Sequence, residues 1–212
     1  MAKQVRGGRT VVLNAATTLF HRVGYHGASI RDIAREADIT VASIYYHFSS
    51  KQEILQEIMV GLLREVMQET RASVLAAGDR PEAQLTALMR AWVAFHIREQ
   101  AKAVIGATEI RSLDDEGRAK IVALRDEQEN LFRAVIDHGA QAGVFATPDP
   151  VEAARAVISL GRNIVSWYRP DGPKPADEFA DQYGRFALAL VEYVDLHTAA
   201  PASAAGSSRG SI

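Results

Sequence analysis

This sequence predicts an all-α protein in two parts: a three-helix N-terminal head with the proportions of a helix-turn-helix, and a larger helical C-terminal body. Three observations carry that reading. Apolar residues recur at three- and four-residue spacing in almost every segment, no run of alternating β-branched residues reads as a strand, and cap-and-box residue pairs open several of the segments.

Val12, Leu13, Ala16, Leu19, Phe20 and Val23 form the first stripe, and "GYHG" then stops that helix. Ser29 to Ala37 follows, with Ser29 and Asp32 as a capping box and Ile30, Ile33, Ala34 and Ala37 on one face. A third helix starts near Thr40 and ends by Ser49. Ser50 with Glu53 opens a long helix through Ile54, Ile58, Leu62 and Val66 to about Ala77. After "AGDRP", the body begins with the stripe Leu85, Leu88, Met89, Trp92, Phe95 and His96, and a shorter helix is expected over Lys102 to Ser112. Asp114 to Ala142 carries Ile121, Leu124, Leu131, Phe132, Val135 and Ile136. Asp149, Pro150 and Glu152 are cap, first-turn proline and box partner of a helix running through Ala154, Val157, Ile158, Gly161, Ile164, Val165 and Tyr168. The last helix shows Phe179, Tyr183, Phe186, Leu190 and Val194. The domains expected are 1–49 for the head and 50–197 for the body, with 50–77 as the linking helix and 198–212 as a disordered tail of small and polar residues.

Composition narrows the function. The 212 residues are 48% apolar, enough for a true core, and contain no cysteine, which excludes a disulfide framework, a thiol nucleophile and a zinc finger. The apolar run after the basic N-terminus is broken by Asn14, Thr17 and Thr18 and has helical period, so it reads as a mature helix rather than a secretory signal. No stretch approaches the roughly 18 apolar residues that cross a bilayer, and a cytoplasmic protein without a membrane partner is expected. Net charge is −2, but residues 1–51 hold seven Lys/Arg against three Asp/Glu, while the rest holds 17 against 23. A basic head on an acidic body confines any polyanion contact to the head.

Within the head, "SIRDIAREADITVASIYYHF" sets two short helices around a tight turn. Projected at roughly 100° per residue, Ile44 and Phe48 face the preceding helices while Ala42, Ser43 and Tyr46 face away. Small residues there let the helix axis approach a groove floor, and the hydroxyls of Ser43, Tyr45 and Tyr46 suit base edges or phosphates. Thr40 caps the helix, leaving its amides toward a phosphate, and Lys51 opens the next helix beside it.

Residues 9–55 resemble the DNA-binding domain of the tetracycline-repressor (TetR) family through Phe20, Gly24, Ser29, Ile33, Ala34, Ala37, Ile39, Ser43, Ile44, Tyr45, Tyr46, His47, Phe48, Lys51 and Leu55. Asp38 replaces the usual turn glycine, in a position where a left-handed backbone is required. The resemblance implies a repressor that binds a double-stranded DNA operator as a homodimer and is released by a small-molecule effector. It carries over Ser29, Arg31, Thr40, Ser43, Tyr45, Tyr46, His47 and Lys51 as DNA contacts, with Val41 and Ala42 at the positions that help read sequence. Arg6, in a basic arm, has two readings, a reach to backbone or minor groove and a positive disordered tail.

The body matches that family in layout alone, which implies that the last two long helices pair across a two-fold axis and the middle helices enclose an effector pocket. The two apolar stripes also fit an intramolecular core. Polar groups on apolar stripes are the candidates for the pocket, each with the alternative of a satisfied core or boundary residue: Trp92 with His96, Gln128 with Phe132, and Asn163 with Trp167. Arg162, in a row with Arg155 and Arg169, is either solvated or set to meet an anionic effector. "LRDEQENLFRAVIDHGAQAGVF" and "WYRPDG" are similar to regulators of fatty-acid or steroid breakdown, some of which answer to acyl-CoA thioesters. The competing readings are a regulator of efflux genes answering to an uncharged or aromatic compound, a helical dimeric scaffold without an operator, and an enzyme. Against the enzyme, the sequence has no Gly-rich phosphate loop, no HExxH and no ligand-spaced His pair; no metal or cofactor is expected.

Overall fold

The head helices of the computed structural model are α1 (Ala2–Gly27), α2 (Ile30–Glu36) and α3 (Val41–His47), followed by the linking helix α4 (Lys51–Ala76). Residues 2–195 are described, with side chains from residue 8 onward. The body adds α5 (Pro81–Arg98), α6 (Gln100–Thr108), α7 (Asp115–Gln141), α8 (Pro150–Arg162) and α9 (Ala176–Leu190). Among the described residues no strand forms; a single antiparallel bridge joins Phe145 to Tyr193. The expectations for Arg6 and for the tail 198–212 lie outside the described side chains and residues.

Local chemistry sets the head's boundaries. Gly24 takes φ 75° and ψ 163°, which breaks the helical run of α1 where "GYHG" is expected to end it. Val23, assigned to the buried stripe, is 49% exposed, because it lies on the rim of the α1–α2 groove outside the seam that buries Leu19 and Phe20. Ser29 and Asp32 complete both halves of their capping box, each bond 3.1 Å long, a device worth about 1 kcal/mol. Asp38 adopts φ 53°, as the turn requires. Ser50 caps α4 through the Glu53 amide at 3.1 Å, but the reciprocal half slips by one residue. The Glu53 carboxylate accepts from the amide (2.6 Å) and hydroxyl (2.8 Å) of Ser49, and these bonds hold it below the usual carboxylate range.

Three expectations for the body need correction. The helix expected to continue through Tyr168 ends as α-helix at Arg162 and becomes a 3₁₀ turn over Asn163–Ser166. There the Gln100 side-chain amide draws the carbonyls of Val165 (3.0 Å) and Tyr168 (3.1 Å) toward α6. The stripe of the last helix also divides. Ala180, Tyr183, Gly184, Ala187 and Val191 are buried, with α9 packed on α5, whereas Phe186, Leu190 and Val194 are exposed. Small residues on the inner face favour this: a Cβ on Gly184 would stand 3.1 Å from Thr86 Cγ2, a tight contact that shows how closely α9 approaches α5 there. At Asp149 the cap forms, accepting from the Val151 and Glu152 amides at 3.1 Å, but Glu152 turns to Arg155 instead of closing a box.

Two apolar clusters result, and three helices join them. The body core gathers Leu85, Leu88, Met89, Trp92 and Phe95 of α5 with Phe132 and Ile136 of α7, Val157 of α8 and Ala187 of α9. The head core takes Phe20, Ile33, Ile44 and Phe48, but also Ile54, Leu55 and Ile58 of α4, Ile105 of α6 and Ile121 of α7. Head and body are therefore not joined by α4 alone. A movement of α6 or α7 in the body acts on the head through shared packing.

Candidate DNA-reading helix and effector cavity

Helix α3 stands on the head core by Ile44 and Phe48, both essentially inaccessible to solvent, and turns its other side outward. Tyr46 is 74% exposed and Tyr45 56%, with Ala42 exposed beside them and Val41 and Ser43 half-buried. The Thr40 hydroxyl accepts from the Ser43 amide at 3.1 Å and lies 2.9 Å from the Ser43 hydroxyl, so the cap occupies one amide and pre-orients Ser43. Ser29 and Arg31 are exposed on α2. His47 is half-buried, its ring edge-on to Tyr46 at 5.0 Å, and lies so close to Gly8 of α1 that no side chain fits at that glycine.

Lys51 departs from expectation. Instead of extending into solvent, its ammonium donates to the carbonyls of Tyr25 (2.9 Å) and Ala28 (2.7 Å) and sits 4.2 Å from the Tyr25 ring centre. Burial pulls its pKa below the ordinary lysine value. At the broken end of α1 the Tyr25 carbonyl keeps only a long bond from the Ala28 amide, 3.4 Å, and Lys51 supplies the stronger donor to both carbonyls. Arg9, which the sequence reading passes over, closes the opposite side: it donates to the His47 carbonyl at 2.8 Å, pairs with Glu57 at 2.8 Å and stacks 4.3 Å over Phe48. Arg9 thus fixes α3 against α1 and α4, and Lys51 ties the start of α4 to the end of α1.

In the body, Trp92, His96, Arg125 and Arg162 line one cavity with Met59, Leu62 and Leu63 of α4 and Ala103, Gly106 and Ala107 of α6. Its volume is about 50 Å³. Gly161 brings α8 onto Trp92, since a Cβ there would meet the indole at 2.5 Å. His96 is buried, its Nδ1 lying 2.7 Å from the Trp92 carbonyl. A carbonyl only accepts, so Nδ1 carries the proton and Nε2 is an acceptor. Burial pushes the imidazole down to about 4, with the charge of Arg162 adding to the shift and the Trp92 carbonyl opposing it.

Of the residues assigned to an effector, this cavity brings together Trp92, His96 and Arg162. Phe132 packs behind Trp92, ring centres 5.6 Å apart, away from the cavity surface. Gln128 is buried and exchanges hydrogen bonds with Thr70 at 3.2 and 3.3 Å, a satisfied tie between α7 and α4. Asn163 and Trp167 line a separate open groove with Ser159 and Tyr183, which Arg162 also borders. The 3₁₀ turn carries them there.

Arg125 is a cavity residue that sequence reasoning misses. It extends the stripe Ile121, Gln128 and Phe132 at helical spacing, and a charge on that face is the available signal. Its guanidinium donates to the Gly106 carbonyl at 2.6 Å. Burial first, and then the Arg162 charge, lower its pKa. Among the described residues neither Arg125 nor Arg162 pairs with a carboxylate, although Arg155 on α8 holds both Glu129 and Glu152. No group of three His, Cys, Asp or Glu there is placed to hold a metal, and no helix is long and apolar enough to cross a membrane.

Residues 12–58 match the model of bacterial regulatory proteins of the tetR family, and residues 78–191 the tetracyclin repressor-like C-terminal domain. The transcriptional repressor KstR2 of Rhodococcus jostii is 32% identical over 179 residues, covering 84% of this chain and 87% of the relative. The structure of the ketosteroid regulator KstR2 of Mycobacterium tuberculosis superposes with a TM-score of 0.78 at 27% identity, covering 85% of this chain and 93% of that one. AibR, solved with isovaleryl coenzyme A and operator DNA, shares the fold with a TM-score of 0.78 at 24% identity, covering 88% of this chain and all of AibR.

Proposed function

The chain belongs to the tetR family of bacterial regulatory proteins, and on that premise we propose that it is a cytoplasmic, non-enzymatic repressor whose operator is released by an anionic amphipathic effector, an acyl-CoA thioester foremost. It acts as a homodimer on a pseudo-palindromic site, one α3 helix entering the major groove of each half. Arg31, Thr40, Val41, Ala42, Ser43, Tyr45, Tyr46 and His47 meet the DNA in this reading. Ser29 and Lys51 act mainly by holding the helices that present them.

One observation carries the effector class: two arginines without carboxylates border an apolar cavity. Arg125 is partly buried with a like charge, the exposed Arg162, and a neutral histidine as neighbours, and an anion offsets that cost where an uncharged effector does not. AibR points the same way, since it holds isovaleryl coenzyme A, an anionic thioester, on the same fold. A cavity of about 50 Å³ is far below the few hundred Å³ that ligand sites usually occupy. An acyl chain must therefore part α4 from α6, and both helices enter the head core. The effector shifts the head by as much as its affinity differs between the two arrangements.

Selection from random DNA fragments supplies the operator. Its complex is then titrated with straight-chain and steroid-derived acyl-CoAs and with uncharged aromatic compounds. Release by an acyl-CoA, weakened at least tenfold in Arg162→Lys because the planar fork is lost, supports the reading. Release by an uncharged aromatic alone overturns the effector class, and failure to enrich any DNA sequence overturns the repressor.

A further inference from the structure

We propose that Arg125 and Arg162 form a two-guanidinium clamp for a phosphate or diphosphate group of the effector, with Arg125 as the residue that changes partner when the effector binds. This rests on the effector reading of the same cavity and assigns a second residue to it.

The two arginines reach the cavity from different helices, Arg125 from α7 and Arg162 from α8, and the Arg162 charge bears on both Arg125 and His96. Several arginines of the body pair with carboxylates, Arg71 with Glu127, Arg98 with Glu69 and Glu99, and Arg155 with Glu129 and Glu152, although among the described residues Arg133 and Arg169 do not. Arg125 is different. It is half-buried and its one protein acceptor among the described residues is the Gly106 carbonyl, a neutral group. Arg162 has no protein acceptor there at all. Two planar forks facing one space match an anion with several oxygens better than a single carboxylate, which one guanidinium already saturates. Arg162 is exposed at the mouth, whereas the partial burial of Arg125 strengthens its side of that pairing relative to open water.

Gly106 lies on α6, so the bond that Arg125 gives up is a bond to the helix that must move. The carbonyl of Gly106 competes with the anion for the same guanidinium, and a charged acceptor outcompetes a neutral one. Anion binding and release of α6 are then one event.

The test measures binding to the full-length wild type, Arg125→Met, Arg125→Lys and Arg162→Met by calorimetry. Decanoyl-CoA and decanoyl-pantetheine are the probes, sharing a thioester and chain but differing in phosphates. Wild type is expected to prefer decanoyl-CoA at least tenfold. Arg125→Met should lose that preference while binding decanoyl-pantetheine at least as tightly as wild type does, because it also loses the bond that holds α6, and Arg125→Lys should recover only part of it. Retained binding of decanoyl-pantetheine is what a merely structural role for Arg125 does not predict. If Arg125→Met keeps the full preference while Arg162→Met loses it, the clamp is wrong and the effector reading stands. Equal affinity of wild type for both probes overturns the clamp but leaves a thioester effector. If wild type binds neither probe, clamp and effector reading fall together.

Discussion

The backbone amide of Tyr25 donates to Glu109 Oε1 over 3.3 Å, joining the end of α1 to the turn after α6 across 84 positions of sequence. A second tie runs beside it, the Ser112 hydroxyl lying 3.1 Å from His26 Nε2 and donating to Glu109 Oε2 at 2.8 Å. Tyr25 is also where Lys51 is anchored, and its hydroxyl donates to Gln52 at 2.8 Å. One short segment of the body thus grips the corner where α1, α2 and α4 meet.

That corner gives the first prediction. Glu109→Ala removes the acceptor for Tyr25 and the partner of Ser112, without touching the cavity. Effector affinity should stay within about twofold of wild type, while the effector concentration that releases DNA should rise roughly tenfold, a loss of about 1.4 kcal/mol of coupling. Calorimetry of the effector beside anisotropy of a labelled operator separates the two quantities. Normal release in this variant would leave α4 as the sole transmitter.

Lys51 and Tyr46 make a contrasting pair. Tyr46→Ala removes an exposed side chain and should weaken operator binding with no change in thermal midpoint. Lys51→Ala takes the donor from the Ala28 carbonyl and leaves the Tyr25 carbonyl only the long bond from the Ala28 amide, and should cost about 1–3 kcal/mol of stability. Because its ammonium is committed inward, the slope of log affinity against log salt should be unchanged. If Lys51 instead meets a phosphate in each half-site, the slope falls by roughly 0.9 for each phosphate left without its cation.

His96 sets a pH dependence. Its folded pKa, about 4, lies below the ordinary 6.5, so the unfolded chain binds the extra proton between those values. Its contribution to stability is complete above pH 6.5 and is lost as pH falls toward 4, at up to about 1.4 kcal/mol per pH unit. Asp32 and Glu53, whose pKa values are also lowered, lose stability with acid as well, chiefly below pH 4.5. The comparison is therefore wild type against His96→Gln by urea denaturation from pH 7 to 4.5. The variant should lose the slope over that window, and equal slopes would mean that His96 titrates normally.

The head is legible in the sequence because each of its signals is local. Ser29 with Asp32, Thr40 with Ser43, and Ile44 with Phe48 are separated by three or four residues and do in the fold what their spacing implies. What the sequence hides depends on distant partners. The end of α8 is set by Gln100, 65 positions before Val165, and the direction of Lys51 by carbonyls beside the break at Gly24. Arg125 resembles part of a solvated face, since nothing in its neighbourhood of sequence says that α6 and α8 close over it. Gln128 shows the converse. Its polar group on an apolar stripe suggests a ligand, but Thr70, 58 positions away, already satisfies it.

The dimer gives the last prediction. On α9, burying Ala180, Gly184 and Ala187 against α5 leaves Phe186 and Leu190 outside at 41% and 42% exposure, and Trp167 beyond α8 at 46%. Large apolar side chains presented together on adjoining helices suit an isologous helix-pair seam, in which each contact is repeated by symmetry. Charging that face, as Phe186→Glu with Leu190→Glu, leaves the inner face of α9 untouched. The variant should sediment as a folded monomer at micromolar concentration. Its operator affinity should fall by two orders of magnitude or more, because each recognition helix then binds its half-site without the high effective concentration its partner supplies. A single half-site should be bound equally by variant and wild-type protomers. If the double variant still sediments as a dimer, the seam lies elsewhere, and the exposed residues of α8 around Ser159 and Asn163 become the face to charge next.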